Sequence, residues 1–437
     1  MTLHGTMRFG KLAQKPKGFP LHMTGRIGPL DTDLDRLLQP AEALEITLQH
    51  TRQLPVEAVA LANASWRVLG EDITAPEDHP PFPASTMDGF AVVADDPSPW
   101  REIIGDQPAG IIFDAKVTHG TAVRIMTGAP VPHGANAVVR VENTELADDH
   151  VIIHQESVSL GENIRPVASD VSKGALLLTT GTPLGPAEIG ILASMGFQSV
   201  SVSRKPRVSI ISTGDELAPT GSQLGPGQIR DSNRPGLVVA IEAAGAEVIW
   251  QGQAPDQRNM LERLLNERVD QSDIVVTSGG VSMGELDFVK AILPGISRVH
   301  FRRVFLKPGK PLNFATSGDT LIFGLPGNPV SALVSFELFL GPAIRKMQGL
   351  AKWSRPQVVV KIEHAIQATD RIEYQRALIA QSPTGTLTAS VRGSQASSRL
   401  TSFVGTNGLL VVPPRNSPYQ PGDQLTALLT GQITDSS

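Results

Sequence analysis

Two short loops carry the residue types from which an anion site is built. Residues 212–216 read Ser-Thr-Gly-Asp-Glu and follow an apolar run ending at Ile211; residues 277–282 read Thr-Ser-Gly-Gly-Val-Ser and follow one ending at Val276. Small residues leave backbone N–H groups free, hydroxyls add donors, and a following helix N-terminus adds its dipole, which suits a phosphate. An ordinary βα turn has the same composition, so the loops alone leave both readings open. Carboxylates accompany them: Asp215, Glu216, Asp256, Glu285 and Asp287. Hard cations such as Mg²⁺ take carboxylate oxygens together with substrate phosphates. For any single one of these acids, helix capping is the simpler reading. Arg302, Arg303, Lys307 and Lys310 crowd one stretch, and residues 307–311 read Lys-Pro-Gly-Lys-Pro. Two prolines restrict that backbone, and a rigid cationic corner suits an oxyanion; a solvated basic turn fits equally well. It is not a phosphate loop of the GxxxxGK[ST] type, because Val304 stands where the first glycine is needed.

Two patterns are set aside. Residues 280–284 match G-x-S-x-G, but Ser278 and Gly279 separate them from the strand, and the only later histidines are His300 and His364. A nucleophile elbow must leave its strand directly and needs a later Asp and His. His150 and His154 lie four apart in a strand-like HVIIH, which places them about 13 Å apart, too far for one metal.

The elements that must position these loops follow from composition and pattern. The chain has 437 residues and a net charge of −5. It is long enough for about three domains and has no electrostatic case for nucleic acid or a membrane surface. Cysteine is absent, which removes disulfides, thiolate metal sites, iron–sulfur clusters and cysteine nucleophiles together. Residues 1–33 are basic but lack an apolar core for a signal peptide, and read as a flexible extension. The most apolar stretch, residues 321–344, holds Pro326, Asn328, Pro329 and Glu337, so it reads as strand–turn–helix and not as a membrane span. A cytoplasmic protein is expected.

Residues 34–70 read as helix with a break at Pro40, including a second helical stretch over 57–68. Four prolines in 76–85 mark a hinge. Short apolar runs from Asp88 to about 167, separated by Gly, Pro and Asp, predict an all-β module, a barrel or sandwich. Residues 168–203 are mixed, with a helix near 186–195. From Pro206, strands and helices alternate, which argues a parallel sheet with helices on both faces. Asn328-Pro329 reads as a helix start, with Asn as N-cap. Residues 353–437 return to short β runs. The fold expected is a multi-domain α/β plus β chain. A mixed N-terminal domain (34–75 and 168–203) carries an inserted β module (76–167), followed by a three-layer α/β domain (204–352) and a C-terminal barrel-like β domain (353–437).

Taken in order, the motifs are more specific than their parts. Residues 81–92 (PFPASTMDGFAV), 124–130 (RIMTGAP), 163–171 with Asn163, Arg165 and Asp170, 212–217 (STGDEL), 231–233 (DSN), 278–287 (SGGVSMGELD), 307–311 (KPGKP) and 324–331 (GLPGNPVS) resemble, in sequence and order, the molybdopterin molybdenumtransferase (MoeA) family, related to the C-terminal enzymatic domain of gephyrin. The resemblance covers roughly residues 34–437. It implies Mg²⁺-dependent insertion of molybdate into adenylylated molybdopterin with release of AMP. The work is then positioning and charge neutralisation, with no protein thiol required. By the same resemblance Asp88, Thr127, Glu216, Asp287 and Lys307 are catalytic. Asp170, Thr213, Gly214, Asp256, Ser278, Gly279, Gly280, Arg303, Lys310, Pro326 and Ser397 bind the substrate, and Glu216, Asp256 and Asp287 hold Mg²⁺. It implies a homodimer with the site shared between subunits, and molybdopterin adenylyltransferase as upstream partner. The chain departs from the family pattern at Asn136, Ser169, Arg303 and Ala396; the first two remove negative charge. Adenylyl transfer to molybdopterin and a non-catalytic scaffolding role are the competing readings, and sequence does not separate molybdate from tungstate.

Overall fold

The computed structural model describes residue 34 and residues 36–255, 257–279, 288–391 and 393–435. The expected N-terminal extension, 1–33, lies outside the described residues.

The centre is a six-stranded sheet in the order Glu247–Ala254, Arg207–Thr213, Ile274–Ser278, Thr320–Leu325, Pro311–Ser317, Arg298–Arg303. The first four strands run parallel; the last two pairings are antiparallel. The expected parallel sheet is therefore mixed. The strand Pro311–Ser317, absent from the sequence reading, is joined to Thr320–Leu325 by Gly318-Asp319 alone, and two residues can close only an antiparallel pair. Consecutive residues of the parallel strands point to opposite faces and both faces are covered. Val208, Ile210, Ile274 and Val276 pack under Leu237 and Ile241 of helix Asn233–Ala243 and under Val330–Met347. Ile211 and Val275 pack under Leu261 and Leu265 of helix Arg258–Gln271 and under Ile292 and Leu293. These are three layers. Phe314 anchors the first face, with ring centroids 5.6 Å from Phe301 and 5.1 Å from Phe323; each such fully buried side chain is worth about 1.5–3 kcal/mol. Residues 321–344 form strand, turn and helix as expected, and among the described residues no helix is long and apolar enough to cross a membrane.

Residues 57–68 are not helical. Val56–Ala60 is a strand paired antiparallel with Ser199–Ser203, followed by the short 3-10 turn Leu61–Asn63. Backbone pairing with a distant segment overrides the local helical pattern. The one helix of residues 34–70, Pro40–Gln49, begins at Pro40 instead of breaking there. Its Ala43, with Leu38 and Leu54, joins the core of the central sheet.

Chain enters the inserted module at Ala84–Ser85 and leaves at Ile164–Arg165, and these two segments pair antiparallel. Between them lies one six-stranded sheet, ordered Ala137–Arg140, Gly89–Val92, Thr121–Ile125, Trp100–Gln107, His150–Ile153, Thr144–Ala147. At the C-terminus, strands Ile372–Gln381, Leu387–Val391, Gln357–Ile362, Gln424–Leu429 and Gly408–Val412 pair in succession, and the last returns to Ile372–Gln381. That closes a five-stranded barrel.

Candidate active site

Three parallel strands end side by side at Thr213, Ser278 and Leu325, and the carboxyl ends of such strands are where α/β sheets bind ligands. Thr213, Gly214, Ser278 and Pro326 are buried there. Thr213 Oγ1 reaches the Ser278 carbonyl at 3.5 Å, and Asn233 Nδ2 donates to Ser278 Oγ at 2.8 Å and to the Gly327 carbonyl at 2.7 Å. Gly279 is obligatory: its φ is +96°, and a Cβ would stand 2.7 Å from the Thr213 carbonyl oxygen. Beneath the first loop Ser212 Oγ donates to Asp231 Oδ2 at 2.6 Å. Gln253 Nε2 donates to the Gly214 and Leu217 carbonyls at 3.0 and 3.1 Å, which fixes the turn that presents Asp215 and Glu216 to solvent.

The cationic corner abuts this edge. Gly309, at φ +113°, fits against helix Pro329–Ser335; a Cβ would lie 3.1 Å from Ser335 Oγ, which is buried and has no hydrogen-bond partner. Lys307 Nζ lies 3.3 Å from Glu373 Oε1 of the barrel. Lys310 is exposed and Arg303 half-buried. Ser397 reaches the same place from the barrel: Asn328 Nδ2 donates to its Oγ at 3.1 Å and the Val330 N–H to its carbonyl at 3.1 Å. Asn328 stands at the N-cap position but makes no cap hydrogen bond. Its side chain is spent on Ser397, so it docks the barrel loop instead of closing the helix.

Sequence reasoning missed two charged residues here. Arg376, on strand Ile372–Gln381, is wholly buried. Its Nε donates to Ser402 Oγ at 3.0 Å and its Nη2 to the Ser394 and Ala396 carbonyls at 3.3 and 3.4 Å, while Nη1 has no partner. Burial pulls its pKa down to about 10 against the raising effect of Glu373, so it stays cationic. Glu373, equally hidden, is the other. Their signal was two charges of opposite sign inside the apolar run 372–381.

Asp88 and Thr127 meet, but on the inserted module. The Thr127 N–H and Oγ1 donate to Asp88 Oδ1 at 2.7 and 2.9 Å, and these two bonds, the backbone one first, hold the carboxyl below its ordinary range. Both are exposed, on a sheet separate from the one that carries Thr213 and Ser278. Asp170 stands in the module's stem, its N–H bonded to the His79 carbonyl at 3.1 Å. Asp256, Gly280 and Asp287 lie outside the described residues, as does the G-x-S-x-G stretch. Asn136, the expected departure, uses its Oδ1 to accept the Ala94 N–H at 2.7 Å. His150 and His154 contact separate acids, Asp149 and Glu145, and no cluster of three His, Asp or Glu able to hold a metal occurs among the described residues.

A three-layer α/β unit with hydroxyl- and glycine-bearing loops at its strand ends, edged by lysines and met by a β-barrel loop, is a doubly covered α/β protein with a candidate anion site at its strand ends. Residues 209–346 match the family described as a probable molybdopterin binding domain, residues 38–196 the MoeA N-terminal region (domains I and II), and residues 363–430 the MoeA C-terminal region (domain IV). The molybdopterin molybdenumtransferase of Haemophilus influenzae is 36% identical over 86% of this chain and 95% of its own length. Gephyrin of Dictyostelium discoideum is 35% identical over 90% of this chain, which spans 62% of that longer protein. The crystal structure of the molybdopterin biosynthesis MoeA protein of Pyrococcus horikoshii superposes with a TM-score of 0.77 at 29% identity, covering 91% of this chain and all of that one. The chain belongs to the molybdopterin molybdenumtransferase (MoeA) family of transferases.

Proposed function

We propose that this protein inserts molybdate into adenylylated molybdopterin, with Mg²⁺, and releases AMP. The observation that carries the reading is the convergence, at one sheet edge, of the Thr213–Gly214 and Ser278–Gly279 loops with Lys307, Arg376 and Ser397. Backbone N–H groups and hydroxyls suit the phosphates of a pterin nucleotide, and the accessible ammonium of Lys307 suits a tetrahedral dianion. Arg376 is buried behind it and ties down the loop that carries Ser397. Mg²⁺, when bound, would supply charge neutralisation at the substrate's phosphates. Glu216, exposed at the strand end, is the described member of its all-oxygen donor set, with Asp256 and Asp287 as the others. The substrate arrives already adenylylated, so an adenylyltransferase acts upstream. Asp88 and Thr127 belong to the inserted module and its separate sheet, which fits a homodimer in which the module of one subunit completes the site of its partner.

The test is AMP release from adenylylated molybdopterin by the purified protein with Mg²⁺, followed by chromatography. Release should require molybdate. Release of the same size without molybdate would overturn the reading in favour of simple nucleotide hydrolysis. Glu216→Ala should lower the rate by about a hundredfold or more at an unchanged melting temperature.

A further inference from the structure

Lys307 is held from behind by a carboxylate that no motif marks. The two-residue strand Leu306–Lys307 pairs in parallel with the start of strand Ile372–Gln381, and Lys307 stands in register with Glu373. The Glu373 side chain is only 4% exposed, against 39% for Lys307, and its oxygen lies 3.3 Å from the ammonium. Among the described residues the ammonium is the cation that this carboxylate ion-pairs with directly, and Arg376 lies near enough to feel its charge. A buried carboxylate is committed to such a partner, because losing it leaves buried charge poorly compensated.

Lysine is a point charge on a flexible four-carbon stem, so a lysine meant for an oxyanion needs something to fix it. Cations stand near the pair: Arg376 lies three residues along the same strand, Arg371 donates from its Nη1 to the Leu306 carbonyl at 3.3 Å, and Lys310 lies three residues on in the turn. Without Glu373, Lys307 would lose the carboxylate that holds it in place.

We propose that Glu373 is the positioning residue for Lys307: its ion pair fixes where the ammonium stands and leaves N–H donors for a tetrahedral oxyanion. This rests on the reading of Lys307 as the group that holds the anion. Glu373 itself touches no substrate. The pair also ties the barrel to the sheet edge, so the barrel loop that carries Ser397 and the lysine are set by the same strand.

The experiment uses the full chain with Glu373→Gln, which keeps the shape and an acceptor oxygen but removes the charge, beside Glu373→Ala and Lys307→Ala. Acetylation of Lys307 by a limiting anhydride is followed by mass spectrometry across alkaline pH, without substrate. Removing the carboxylate frees the amine from its ion pair, and labelling at fixed pH should rise several-fold. In the AMP-release assay, kcat/KM for molybdate should fall about tenfold or more, and Glu373→Asp should restore part of it. If Glu373→Gln lowers only the melting temperature, with labelling and kcat/KM unchanged, the pair is merely structural and the inference falls. If Lys307→Ala keeps full activity, it is the site reading that fails. Should Glu373→Ala not fold, Glu373→Gln carries the test alone.

Discussion

Asp88 illustrates how little it takes to tune an exposed carboxylate. It accepts two hydrogen bonds from one residue, Thr127, and those bonds keep it ionised below the usual carboxylate range. Thr127→Val keeps the backbone donor and loses the hydroxyl. The Asp88 pKa should then rise towards its ordinary value, and AMP release should begin to fail at a higher pH as the solution is acidified. Activity near neutral pH should drop by roughly two- to tenfold, the worth of one typical solvent-exposed hydrogen bond. A pH–rate profile that superposes on the wild type would refute this. At this scale the sequence is legible for position: Thr213 and Ser278 stand at the carboxyl ends of parallel strands, as their loops suggest. It is silent at Glu373 and Arg376, because their partners are set by strand register and by a loop almost twenty residues away, and neither is visible in local spacing.

Among the elements, those with strong local signals are read correctly from sequence. Pro329 opens a helix, Pro186 opens another, and the β-branched runs 207–213 and 274–278 are buried strands. Errors fall where the deciding contact is distant or the turn is short: Val56–Ala60 pairs across the whole insertion, and Pro311–Ser317 is hidden behind a proline-rich turn. The junction of helix Pro40–Gln49 with edge strand Arg298–Arg303 makes a further prediction. His50, at the helix C-terminus, stacks on His300 with ring centroids 3.8 Å apart, and His300 Nε2 lies 2.9 Å from Thr316 Oγ1. Burial, then the nearby His50 and Arg298, pushes the His300 pKa from 6.5 down to about 4. The unfolded chain therefore binds more protons between those values, and stability should fall as the pH drops from about 6.5 to about 4. His300→Gln should flatten that part of the melting-temperature curve; an equally steep curve in the variant would exclude His300 as its source.

For the whole molecule the central question is what completes the site. If the inserted module of one subunit serves its partner, Asp88→Ala and Lys307→Ala variants are each inactive but complementary. Mixed and allowed to exchange, half the dimers would pair one of each, with one intact site in two, so about a quarter of wild-type activity should return. No recovery after confirmed exchange would place every catalytic group within one subunit. The arrangement of sheets on which this depends was partly legible. Composition shifts mark where β runs give way to alternating strand and helix. The C-terminal domain was expected to be barrel-like and is; the strand number and the pairing that closes it, Gly408–Val412 returning to Ile372–Gln381, are set by distant contacts that the sequence does not display.

The paired stem of the inserted module has a thermodynamic consequence. Ile164 lies opposite Ser85, and His79 is bridged to Val171, so the chain leaves the host and returns to it through neighbouring backbone positions. The entropic cost of joining two such points rises only slowly with the length of what lies between, and the module packs largely into apolar clusters of its own. The host fold therefore bears almost none of the cost of its arm. The arm is free to lengthen, shorten or change its outer face over time, while the parallel strands of the central sheet keep their register.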